Sequence, residues 1–215
     1  MKIAILGTGM VGQTIAKKLV QLGHDVRMGS RSAKNEAVLA FVKEAGGKAS
    51  AGTFEDAAQF CDLAFNCTKG SASLAAVTLT GHESLQGKIL IDVSNPLDLS
   101  KGVPTLFTSR DDSLGEQIQR AIPSAKVVKT LNTVNAGIMV DAAKLKAEHD
   151  MFLCGNDADA KQKVSAYLRE WFGWKTLIDL GDITGARAME SYVQFWARVW
   201  GATKSANFNI KIVRD

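Results

Sequence analysis

Through most of its length the chain alternates short, uniformly apolar runs with longer stretches whose apolar residues recur every three to four positions. "KIAILG" (2–7) precedes "MVGQTIAKKLVQLG" (10–23), and "HDVRMGS" (24–30) precedes "KNEAVLAFVKEAGG" (34–47). A second round runs through "LAFNC" (63–67), "SASLAAVTL" (71–79) and "KILIDVS" (88–94). Strands this apolar cannot face water on either side, so the pattern predicts a parallel sheet covered by helices on both faces, an α/β doubly wound architecture. "KVVKTL" (126–131), "MFLCG" (151–155) and "KTLIDLG" (175–181) continue the sheet, with a helix over "DADAKQKVSAYLREWFG" (157–173). Thr184 to Trp200 reads as one helix, and "FNIKIV" (208–213) as a closing strand or an extended arm.

Punctuation supports this parse. Thr53-x-x-Asp56 resembles a capping box with a shorter acid, and Ser113-x-x-Glu116 fits the full form. Gly23, Gly46 and Gly47 stop helices. Asn95-Pro96 ends a strand in a turn, and the stretch from Pro96 to Asp112 is a long loop of the kind that often serves function. Without repeats or a Pro-rich linker, the chain divides into a nucleotide-binding domain (1–135) and a small C-terminal α/β elaboration (136–215) packed on it.

Composition narrows the function classes. Hydrophobic residues make up 46% and charged residues 22%, ordinary for a globular protein with a real core. The net charge of +4 is scattered, so no basic stripe points to nucleic acid. Cys61, Cys67 and Cys154 lack C-x-x-C spacing and are expected as reduced, buried thiols of a cytoplasmic protein. Met1-Lys2 leads straight into a strand without a signal peptide, and no apolar run approaches the roughly 20 residues of a membrane span. His24, His82 and His149 have no ligand spacing, so no metal is expected.

Gly7-x-Gly9-x-x-Gly12 follows a predicted strand and opens a helix, the context that makes the pattern a dinucleotide fingerprint. Gly7 permits the turn, Gly9 lets the backbone approach a pyrophosphate, and Gly12 allows close helix–strand contact. Thr8, Met10 and Val11 share that loop, and the helix N-terminus favours the diphosphate charge. About 20 residues after such a motif an acid usually holds the ribose hydroxyls of NAD. Here the place is taken by Ser30 and Arg31, with Ser32 and Lys34 close behind. A carboxylate there would repel a 2′-phosphate, whereas a hydroxyl and a guanidinium accept it. The cofactor expected is therefore NADP, on a Rossmann sheet. Ligands lie along the carboxyl ends of such strands, which makes Cys67, Thr68, Lys69, Ser94, Asn95 and Pro96 candidate cofactor contacts, or else ordinary strand-ending turns.

The segments 5–31, "DVSNPL" (92–97), "VVKTLNTVNAGIM" (127–139), "FLCGNDADAKQKV" (152–164) and "DLGDITGARAMESY" (179–192) together resemble the NADP oxidoreductases that use the deazaflavin coenzyme F420. The resemblance implies that Ser30 and Arg31 read the 2′-phosphate, and that Asn132 to Gly137 line the nicotinamide and the acceptor ring. Asn132, Ala136 and Gly137 would then position the reactants, with backbone near Ala136 anchoring the carboxamide. It further implies that the last helix contributes to a substrate pocket and to a homodimer contact. The acceptor would be coenzyme F420 or a flavin such as FMN or FAD, and direct hydride transfer asks for no catalytic acid or base. An acidic acceptor tail needs donors near the cleft, a role left open among Lys69, Lys101, Arg110 and Lys129. Met189, Tyr192, Val193, Trp196 and Trp200 stand at helical spacing, as core, as an interface or as an acceptor pocket. Two other functions fit the nucleotide motif: an NADP dehydrogenase or imine reductase of a small metabolite, and an NADP-binding redox sensor without turnover.

Overall fold

The computed structural model describes residues 1–81, 83–100, 102 and 104–214; His82 and Lys101 lie outside the described residues. The chain begins β1 (Lys2–Leu6), α1 (Met10–Gln21), β2 (Asp25–Ser30), α2 (Glu36–Ala45), β3 (Ala49–Thr53) and α3 (Phe54–Phe60). It continues β4 (Leu63–Asn66), α4 (Gly70–Thr78), β5 (Ile89–Asp92), β6 (Leu97–Asp98), β7 (Thr105–Leu106) and α5 (Leu114–Ala121). The remainder is β8 (Lys126–Thr130), α6 (Ala136–Met139), β9 (Asp150–Gly155), α7 (Ala158–Phe172), β10 (Thr176–Asp179) and α8 (Ala186–Thr203), with short 3-10 turns at Ala142–Lys144 and Ile183–Gly185.

Eight strands form one sheet in the order β10-β9-β8-β5-β4-β1-β2-β3, with β6 and β7 as a separate antiparallel ribbon. Side chains of successive strand residues point to opposite faces, and two cores result. Ile3 and Ile5 join Ile15, Leu19, Phe41 and Trp171 on one face. Ala4 and Leu6 join Phe54, Val77, Leu90 and Ile118 on the other. This is the Rossmann-like α/β fold that the alternation predicts. The register aligns Leu6 with Gly29 and Asn66, Asn66 with Asp92, and Asp92 with Lys129, so the carboxyl ends of five strands form one edge.

Three features depart from the sequence pattern. β3 ("ASAGT") is an edge strand of small residues with no apolar alternation to reveal it. The long loop after Pro96 carries the β6–β7 ribbon, with Leu97 opposite Leu106 and Asp98 opposite Thr105. β9 runs antiparallel to β8, because no crossover helix returns the chain to the opposite edge: α6 has four residues, and the chain re-enters where it left. The C-terminal segment is an extended arm rather than a strand. The caps also differ. Thr53 and Asp56 make the full reciprocal box. Ser113 accepts from the Glu116 N–H, but the Glu116 carboxylate goes to the Ser113 hydroxyl and to Arg187.

A charged cluster lies inside the apolar frame. The fully buried Lys129 ammonium sits 2.8 Å from Asp92 Oδ2 and 2.9 Å from Glu190 Oε1, and donates to the Ser94 carbonyl at 2.6 Å. Glu190 also accepts the N–H groups of Leu114 (2.9 Å) and Gly115 (3.0 Å), the first turn of α5. Asp92 Oδ1 accepts from Asn66 Nδ2 and the Ser94 hydroxyl. Burial works against the lysine charge, yet Asp92 and Glu190 outweigh it and hold the Lys129 pKa above the ordinary value. A raised base contributes stability that is complete below the unfolded lysine value of about 10.4 and is lost as pH rises through the folded one.

Breaking a buried ion pair from one side leaves uncompensated charge, so Lys129→Met should lower urea-unfolding stability by about 3–5 kcal/mol. Adding Asp92→Asn and Glu190→Gln should restore part of it. A loss under about 1 kcal/mol in the single variant would show that the carboxylates do not depend on Lys129.

Candidate functional site

The glycine loop joins β1 to α1 at the centre of the carboxyl edge. Gly7 has φ +114°, and a Cβ there would stand 2.8 Å from the Cys67 carbonyl oxygen, so only glycine fits. A Cβ on Gly12 would fall 2.5 Å from the Gly7 oxygen, which is the close helix–strand contact expected of it. Nothing lies within 4 Å of a Cβ built on Gly9, so the backbone there is open to a ligand. The loop is steadied by Gly7 N–H donating to the Gly29 carbonyl and by Gln13 Nε2 donating to the Thr8 carbonyl. Met10, at the start of α1, is 74% exposed at its mouth.

Beyond β2 the chain turns on its own hydroxyls. Ser30 is buried and donates to the Ser32 carbonyl at 2.6 Å, while Ser32 Oγ accepts from the Lys34 N–H. Ser30 therefore shapes the turn instead of offering a free donor. Arg31, Ser32 and Lys34 are exposed, and no acidic side chain pairs with Arg31 or Lys34 among the described residues.

A cleft of about 430 Å³ opens beside the glycine loop. Of the sequence candidates, Met10, Val11, Cys67, Thr68, Lys69, Ser94, Asn95, Asn132 and Ala136 line it. Gly7, Thr8, Gly9 and Gly12 form the adjoining loop and the Ser30–Lys34 turn lies at the neighbouring strand end, while Pro96 and Gly137 do not line the cleft. A Cβ on Gly70 would meet the Asn95 oxygen at 1.9 Å, so α4 can approach the end of β5 only through a glycine.

Hydrogen bonds hold the polar floor. Asn66 Oδ1 accepts from the Thr68 hydroxyl at 2.6 Å, and Thr68 shares a 2.8 Å contact with Ser73 Oγ. Asn95 Nδ2 donates to the Asn132 carbonyl, and Asn132 Nδ2 donates to Asn95 Oδ1 and the Met189 carbonyl. Both acceptors face Nδ2, so the amide cannot be turned round, and Asn132 Oδ1 is a buried acceptor without a donor among the described residues. The preceding Leu131 is buried with φ +64°, a costly conformation for a large side chain that redirects the chain at the end of β8. Asn135 caps α6, accepting from the Gly137 and Ile138 N–H groups. Burial raises the pKa of the Cys67 thiol, and that of Cys154 is pushed up to about 12; both stay protonated at neutral pH. All three cysteines are free and buried, as expected.

The opposite wall is apolar and was less legible. Leu97 and Leu99 from the loop and ribbon, with Val193 and Trp196 of α8, complete the cleft. The aromatic stripe of the last helix divides: Met189 belongs to the core, Val193 and Trp196 face the cleft, and Trp200 is 51% exposed. Among the cations considered for an acidic tail, Lys69 borders the cleft, while Arg110 lines a separate polar pocket of about 320 Å³ with Arg187. Lys129 is excluded, because it is fully buried and committed to Asp92 and Glu190. Asp92 and Glu190 had no sequence signal beyond lying in apolar segments.

The family model for coenzyme F420-dependent NADP oxidoreductases matches residues 2–96. The chain is 27% identical over 200 residues to the F420-dependent NADP reductase of Methanothermobacter marburgensis, covering 88% of each protein. It is 28% identical to metalloreductase STEAP3 of Rattus norvegicus, spanning 36% of that longer chain. The crystal structure of a candidate F420-dependent NADP-reductase from Arthrobacter sp. FB24 superimposes with a TM-score of 0.94 at 49% identity, over the full length of both chains. An imine reductase from Myxococcus stipitatus, at 17% identity and TM-score 0.65, shares the fold alone. The glycine loop, the strand edge and the full-length match converge on one assignment: the chain belongs to the coenzyme F420-dependent NADP oxidoreductase family.

Proposed function

We propose that the protein binds NADP(H) across the carboxyl edge of its sheet and transfers hydride between the nicotinamide and a flat, flavin-like acceptor. The observation that carries the cofactor choice is Arg31, exposed at the end of β2 with no acid on the neighbouring turn and no charged partner among the described residues. A guanidinium so placed matches the oxygens of a 2′-phosphate, and Lys34 adds charge. The open backbone at Gly9 accommodates the diphosphate. Asn132 to Ala136 hold the nicotinamide end of the cleft.

Bound NADPH supplies the hydride. The protein's part is orientation and exclusion of water. Leu97, Leu99, Val193 and Trp196 offer an apolar wall suited to a planar ring, with the amide pair of Asn95 and Asn132 fixing the opposite side. The names of the Arthrobacter and Methanothermobacter relatives support coenzyme F420 as the acceptor, and FMN and FAD share its ring shape. Phe195 and Trp200, both exposed, share one surface of α8 that would suit a second copy of the chain in a homodimer. No helix among the described residues is long and apolar enough to cross a membrane.

Arg31→Ala should weaken NADPH binding by about 10- to 100-fold, the worth of one charge-assisted bond, and leave NADH binding within about twofold. Equal losses for both cofactors would defeat the assignment. Steady-state oxidation of NADPH should proceed with coenzyme F420, FMN or FAD, and Trp196→Ala should raise the acceptor KM about tenfold without moving that of NADPH. Tight NADPH binding with no turnover on these acceptors or ferric chelates would favour a sensor. Sedimentation should show a dimer of the 23.1 kDa chain, converted to monomer by Phe195→Glu with Trp200→Glu.

A further inference from the structure

After α8 the chain leaves regular structure yet is tied down residue by residue. The Ala206 carbonyl accepts from Asn135 Nδ2, which also lies 3.3 Å from Asn207 Oδ1. Phe208 stacks on Trp196, with centroids 5.3 Å apart and planes at 21°. Asn209 Nδ2 lies 2.7 Å from the Asp150 carbonyl and 2.9 Å from His149 Nδ1. Asp150 N–H donates to the Ile210 carbonyl, and its Oδ2 accepts from the Ile212 N–H at 2.7 Å. Two of the residues held by this segment, Asn135 and Trp196, line the cleft.

The histidine contact has a defined chemical form. His149 Nε2 stands 3.0 Å from the Ala142 carbonyl, which can only accept, so Nε2 carries the hydrogen. Nδ1 is then the bare nitrogen, and Asn209 donates to it. Turning the Asn209 amide round would set Oδ1 against the Asp150 carbonyl. An imidazolium carries hydrogens on both nitrogens, so protonation places one N–H against another.

We propose that residues 206–212 form a strap held against two residues of the cleft wall, Asn135 and Trp196, latched by neutral His149 through Asn209 and released when His149 takes up a proton from solvent. Asn135 is the positioning residue through which the strap acts, since the same side chain caps α6 and holds Ala206. The charged groups around the imidazole are Lys146 and Glu148 before β9, Asp150 at its start, Lys175 before β10 and Lys211 on the strap. Lys211 pairs with Asp150 at 3.2 Å and Glu148 at 3.5 Å, and Trp174 packs edge-on against the ring.

The test is NMR of the ¹⁵N-labelled full chain at about pH 8 and about pH 5, the interval in which imidazole changes charge. Signals of residues 206–212 should be dispersed at the higher pH and collapse to narrow, random-coil positions at the lower. Asn209→Ala, outside every helix and strand, should give the collapsed signals at both. Strap signals that stay dispersed in the natural protein at the lower pH overturn the latch. In NADPH turnover near pH 8, Asn209→Ala should raise KM for NADPH about fivefold, the worth of one hydrogen bond, with kcat unchanged. A released strap with unaltered KM would overturn the coupling to Asn135. The kinetic arm rests on the proposed NADP function and the spectra do not, so absence of NADPH binding would defeat that function while the spectra still judge the latch.

Discussion

The buried contact between Lys129 and the two carboxylates of Asp92 and Glu190 is what the cleft is hung on. One lysine joins the ends of two central strands to the last helix, and both oxygens of Glu190 accept N–H groups from the first turn of α5, Oε1 alongside Lys129. Such a cluster is a poor source of net stability, because desolvation offsets most of the attraction. Its consequence here is geometric. A helix held only by apolar contacts can slide, whereas Glu190 has one position in which all its acceptors are used. Three residues further on, Val193 meets the cleft, and Trp196 follows one turn later.

The strand edge and the helix wall supply different chemistry. Backbone groups and amides dominate the sheet side: the open Gly9, the Asn95–Asn132 pair and the Asn135 cap. Leucine, valine and tryptophan dominate the other. The hydride transfer we propose needs this division, one side to fix orientation by directional bonds and one to accept a flat surface without competing water. The buried left-handed Leu131, at the end of β8 and directly before Asn132, carries local backbone strain beside the cleft. Beside that core, the C-terminal segment is held by hydrogen bonds to Asn135, His149 and Asp150 and by the stack of Phe208 on Trp196. Elements of that kind open at lower free-energy cost than core strands.

Much of this was legible in the order of residues. Period and apolarity predicted the sheet with helices on both faces, because these signals are local and each strand carries its own. The glycine spacing located the loop between β1 and α1, since the motif sits within one strand–loop–helix unit. β3 escaped because small residues on an edge strand carry no alternation. The ribbon escaped because its paired segments are two residues each. Lys129 stands in sequence as an open candidate for an acidic acceptor tail, because a lone lysine in an apolar run looks the same whether it reaches a cleft or meets carboxylates far away in the chain.

From its sequence alone, this protein's layered α/β architecture and its dinucleotide loop were determined, both by residues near one another in the chain. Only the tertiary structure decided that β9 reverses direction, that Asp92 and Glu190 share one lysine, and that Leu97, Leu99, Val193 and Trp196 face Asn132 across a single cleft. The physical reason is range. Hydrophobic period and turn stereochemistry act over a few residues, but the partner of a buried charge and the far wall of a cleft are set by packing between segments tens of residues apart.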